Sequence, residues 1–98
     1  LTPEDSLALA DALAKRNHAQ AALVVYRRHL RDYPRGPGAA EAHVGAGEVL
    51  LRALNQPTPA YQHFLDALDL GAMPATAALA REGLTEIARL QKYRLGGR

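Results

Sequence analysis

Cysteine and tryptophan are both missing from this chain of 98 residues. Without cysteine there is no disulfide, no thiolate nucleophile and no thiolate metal site. That absence leaves the cytoplasm and an oxidising compartment equally open. Aromatic residues are scarce, four tyrosines and one phenylalanine, so helices must approach one another through alanine rather than around large rings. β-Branched residues are few beside alanine and leucine, which favours helices over strands. Long apolar runs are also lacking. The stretch from Asn55 to Leu65 carries no Asp, Glu, Lys or Arg, yet it holds two prolines and several polar side chains, so it is no membrane span. No signal-peptide pattern is visible. A strong excess of one charge is absent as well. The net charge of +2 and pI of about 9.3 are a mild bias, whereas nucleic-acid domains concentrate basic charge on one face.

What is present suits a single globular unit over residues 1–98, with 48% apolar and 22% charged residues. The chain opens on Leu1 rather than methionine, which reads as a piece of a longer protein. Hydrophobic periodicity divides it into five helical segments with short breaks. Thr2 as cap, Pro3 in the first turn and the acids Glu4 and Asp5 start the first helix, which runs to about Arg16. A turn at Asn17-His18 precedes a second helix from about Ala19 to Tyr33, stopped by Pro34-Arg35-Gly36-Pro37-Gly38. The third spans roughly Ala39 to Leu54. The fourth is expected to begin at Pro59 with Thr58 as its cap and to end near Leu70-Gly71. Pro74 opens the fifth, which should reach about Lys92 and leave Gly96-Gly97-Arg98 as a frayed tail. Breaks this short make neighbouring helices antiparallel.

Sliding the chain along itself until Leu13 meets Leu51 also superposes Asn17 on Asn55, Ala22 on Ala60, Tyr26 on Phe64 and Leu30 on Leu68. Self-similarity at such a period, with two helices per unit, marks a helical repeat. In the first unit Ala10, Ala22, Tyr26 and Pro34 stand where the tetratricopeptide repeat family has small, small, aromatic and proline residues. In the second, Gly47, Ala60, Phe64 and Ala67 do the same. The chain therefore resembles that family over about residues 3–72. His29 replaces a usual alanine, the second unit is one residue over the pattern between its helices, and Gly71-Ala72-Met73-Pro74 replaces the proline ending. The Tyr33-Pro34 ending is similar to repeats of bacterial envelope proteins. The resemblance implies a right-handed all-α solenoid of five antiparallel helices. Its repeats would cover about 3–36 and 38–72, with a capping helix at about 74–92.

Chemistry-bearing patterns are thin. Ser6 is the lone serine and reads as local support for the first helix. His18, His29, His43 and His63 include no pair at the i, i+4 spacing of a helical metal site, so structural or surface roles are expected. VGAGEVL over residues 44–50 lacks the third glycine and the lysine of a phosphate loop and lies within a helix, so Gly45 and Gly47 are expected to permit close helix contact. Asp66 and Asp69 are surface neighbours. No catalytic, cofactor or metal residue is assigned, and the chain is not expected to be an enzyme.

Arg27, Arg28, Arg31 and Arg35 form a basic run on the outer side of the second helix, with Arg28 placed to pair with Asp32. Arg89, Lys92, Arg94 and Arg98 form another. Both are expected to be solvated faces, with weak binding of an anionic ligand as the lesser reading. The family's groove positions, carried over one by one, fall on Leu7, Asp11 and Lys15, and on Val44, Glu48 and Arg52. Each set offers an apolar residue, an acid and a base, which suits a peptide or partner domain held by charge complementarity. Leu7 and Asp11 stand where the family's clamp for acidic chaperone tails has a base and an asparagine, so that role is not implied. The alternative to a protein-binding scaffold is self-association or a purely structural domain, in which a second copy or a neighbouring domain fills the groove.

Overall fold

The computed structural model describes residues 1–96, and among these the chain is all-helical. The helices are α1 (Pro3–Lys15), α2 (Ala19–Asp32), α3 (Ala39–Glu48, running on through a π-helical turn at Val49–Ala53), α4 (Pro57–Asp69) and α5 (Pro74–Gly96). Thr2 caps α1 as its sequence implies, its hydroxyl accepting the Asp5 N–H at 3.1 Å. Helix α2 stops one residue before Tyr33, because Pro34 disfavours the helical conformation of the residue ahead of it. Helix α4 starts earlier than expected. Gln56 is its N-cap, and Thr58 lies inside the first turn rather than capping it. Both prolines, Pro57 and Pro59, fit there because the first turn has no intrahelical partner for its N–H groups. Helix α5 passes Lys92 and continues to Gly96, since nothing before the glycine pair interrupts it. Gly97 and Arg98 of the expected tail lie outside the described residues.

The internal repeat reappears as matching backbone. Asn17 (φ 64°) and Asn55 (φ 57°) are the only non-glycine residues of positive φ among those described, and each turns its hairpin. Asparagine tolerates this left-handed region better than other side chains. The two connections, 16–18 and 54–56, are equal in length. The extra residue between Gly47 and Ala60 therefore does not lengthen the loop. It is taken up inside α3 by the π turn, where the Leu54 N–H reaches back to the Val49 carbonyl at 3.0 Å.

One apolar cluster runs through all five helices. Ala10, Ala22 and Ala60 are fully buried, which lets each hairpin close tightly. Tyr26 sits between the two hairpins, and Phe64 between the second hairpin and α5. A Cβ added to Gly45 of α3 would lie 2.3 Å from Tyr26 of α2, and one on Gly83 of α5 would lie 2.3 Å from Phe64 of α4. Gly47 borders the other side of the Phe64 ring, where a Cβ would stand 2.7 Å away. So the second helix of each hairpin presses a ring against a bare stretch of the next helix.

Gly83 is related to Gly45 by the same shift that relates Leu51 to Leu13. The correspondence continues with Ala80 after Ala42 and Ile87 after Val49, and these four side chains are buried. The inner side of α5 thus repeats that of α3. Its other side does not. Arg81, Glu82, Thr85 and Arg89 are exposed where α3 has half-buried His43 and buried Val44, Gly47 and Leu51. Helix α5 receives the preceding hairpin and turns charge to water.

Candidate functional site

Helices α1, α3 and α5 carry a connected set of charged side chains. From α3, Arg52 reaches Glu48 one turn back at 3.4 Å and Glu86 of α5 at 2.9 Å. From α2, the buried Tyr26 hydroxyl donates to the Asp11 carboxylate of α1. Burial pushes the Tyr26 phenol far above its ordinary range, and the hydrogen bond to Asp11 and the charges of Asp11 and Glu48 act the same way. It stays neutral and serves as a post between α1 and α3. Burial also pushes the Glu48 carboxyl up. Arg52 pulls it down, while Glu82 and Asp11 add to the rise. An open cleft of about 530 Å³ lies beside Arg52, walled by Arg81, Glu82, Thr85, Glu86 and Arg89 of α5.

Of the six groove residues expected from the sequence, Asp11, Glu48 and Arg52 belong to this set. Lys15 is exposed in the last turn of α1 and joins none of the three ion pairs among the described residues. Val44, expected to line the groove, is instead almost enclosed, and Leu7 offers only part of its surface. Leu7 is half-buried and packs over the α2–α3 connection, with its Cδ2 3.1 Å from a Cβ built on Gly38. Val44 is only 4% exposed. Helix α3 is flanked by α2, α4 and α5, whereas α1 packs chiefly on α2, so a flank open on α1 is covered on α3. Arg52 is shared by two carboxylates.

Glu82 and Glu86 escape the sequence reading because α5 reads there as a cap. The signal is present nonetheless: Glu86 follows Glu48, and Gly83 follows Gly45, by the interval that separates Leu51 from Leu13. The basic run on α2 is exposed at Arg27, Arg28 and Arg31, but Asp32 pairs with Arg31 at 3.4 Å rather than with Arg28. Arg89, Lys92 and Arg94 are exposed on α5, and Arg98 lies outside the described residues.

The histidines separate into different environments. His29 is fully buried, and its Nε2 lies 3.1 Å from the Pro37 carbonyl, which can only accept, so Nε2 carries the proton. It ties α2 to the connection that follows. His43 of α3 and His63 of α4 meet with their Nδ1 atoms 2.9 Å apart. Among the described residues no group of three or more His, Cys, Asp or Glu side chains is placed to hold a metal ion. Ser6 is buried in the first turn of α1. No helix is long and apolar enough to cross a membrane among the described residues.

No family model, curated protein or solved structure matches the chain.

Proposed function

We propose that the chain is a protein-interaction module of tetratricopeptide type: two stacked helical hairpins and a capping helix in a right-handed superhelix. Its α1–α3–α5 side forms the concave groove for a peptide or partner domain. The observation that carries this reading is the recurrence of one wedge contact. Tyr26 on Gly45 seats the second hairpin on the first, and Phe64 on Gly83 seats α5 on the second, by the same ring-on-glycine device one repeat apart. A chain built by stacking hairpins this way curves and exposes its first helices along one side.

The groove contacts now centre on Asp11, Glu48, Arg52, Glu82 and Glu86. Arg52 is held between Glu48 and Glu86, while Lys15, Arg81 and Arg89 stand exposed beside Glu82, so this side offers both signs of charge. Partner selection by charge complementarity then favours segments of mixed charge. The polar outer side of α5 is what a terminal repeat needs to face water.

The test is selection of binding peptides from a displayed random library, followed by titration against two double variants. Asp11→Lys with Glu86→Lys should weaken binding at least tenfold. Arg27→Glu with Arg31→Glu on the α2 side should leave it nearly unchanged. The reverse order of effects would move the binding surface to α2 and end the groove reading.

A further inference from the structure

The His43–His63 contact lies apart from the proposed groove and ties the two helices of the second hairpin together. The rings are tilted at 43° with centroids 5.2 Å apart, and both side chains are half-buried. A contact of 2.9 Å between two ring nitrogens is a hydrogen bond only in certain protonation states. One ring must carry its proton on Nδ1 and donate, while the other carries its proton on Nε2 and accepts through a bare Nδ1. A first added proton binds the free Nε2 of the donor ring and leaves the bridge intact. A second must go to the Nδ1 of the acceptor. It converts N–H···N into two N–H groups pointed at each other, between two positive rings.

We propose that the His43–His63 pair is a proton-operated latch that ties α3 to α4 while at least one ring is neutral and parts when both rings are charged. The charges that act on the pair come from more than one helix. Asp66 of α4 favours the charged form of both rings, and Arg27 of α2 opposes it at His63. Burial is the largest cause at both and disfavours charge, holding His43 below its ordinary value and His63 down at about 4. The parted rings have a place to go. Asp66 and Asp69 line the cleft beside His43, together with Arg35 of the α2–α3 connection. A charged imidazole finds a carboxylate there in place of its former partner. The latch therefore exchanges a helix–helix tie for solvent-side ion pairing as the medium acidifies.

The direction follows from linkage. With both folded-state values below the ordinary 6.5, the unfolded chain binds more protons between about pH 6.5 and 4. Stability contributed by the neutral pair is complete above that window and declines as pH falls through it. Two measurements test the latch on the whole chain. Imidazole ¹⁵N spectra at pH 7.5 should show one ring of the pair protonated at Nδ1 and the other at Nε2. Both rings protonated only at Nε2, or both titrating near 6.5, would overturn the proposal. Denaturant unfolding from pH 7 to 4 should then show an unfolding constant that rises on the order of tenfold to a hundredfold more in the natural chain than in His43→Leu with His63→Leu. Equal pH dependence in a folded double variant would also overturn it, and the spectra decide the matter if that variant does not fold.

Discussion

Phe64 of α4 lies against Gly83 of α5 so closely that a Cβ on the glycine would fall 2.3 Å from ring atom Cε2. Real Cβ atoms do not approach a ring to that distance, and the ring is fully enclosed, with Gly47 on its other side. The same relationship links Tyr26 to Gly45 one hairpin earlier. These two contacts set how far the second hairpin stands from the first and α5 from the second.

Substitution of these glycines should therefore be costly. Gly45→Ala and Gly83→Ala are each expected to destabilise the fold by about 1–3 kcal/mol through overpacking. Gly36→Ala is the comparison, since its Cβ would meet Tyr33 at an ordinary 3.4 Å and its φ is not positive. That change should lie within ~0.5 kcal/mol of the natural chain. Chemical denaturation midpoints check all three, and equal effects would mean that the rings are not wedged as described.

Tyr26→Phe keeps the ring between the hairpins and removes only the hydroxyl that donates to Asp11. The expected loss is about 0.5–1.5 kcal/mol, as for one hydrogen bond, or somewhat more because the acceptor is charged. Ultraviolet titration gives a separate reading. One tyrosine fewer should ionise in the ordinary phenol range than the chain contains while it remains folded, and Tyr26→Phe should abolish that deficit.

The exposed arginines of α2 predict weak attraction for polyanions and little more. Few phosphates can be engaged at once, so little counterion release is available. Binding to DNA or RNA should be measurable only at low salt and lost by ~150 mM. Submicromolar binding at that salt would contradict the preference for a protein partner.

Sequence periodicity discloses the five helices and the correspondence of Asn17 with Asn55, because turn chemistry and apolar spacing are local. Its limits are equally physical. The extra residue before Ala60 reads as loop, whereas helix α3 absorbs it as a π turn, a choice made by packing on both sides of the helix. Val44 reads as a groove residue when α1 and α3 are given the same surroundings, yet α3 has a neighbour on each flank and covers it. The pairing of His43 with His63 spans two helices and lies beyond the reach of any i, i+4 rule. Glu86 is concealed when α5 is treated as a cap, although its inner side continues the repeat.

We propose above that the side formed by α1, α3 and α5 receives a protein partner. The most direct measurement is amide chemical-shift mapping of the isotopically labelled chain, titrated with a peptide selected from a displayed library. The largest perturbations should gather around Asp11, Glu48, Arg52, Glu82 and Glu86, with Arg27, Arg28 and Arg31 nearly still. Perturbations gathered on the α2 arginines, or a library that yields no binding peptide at all, would contradict it.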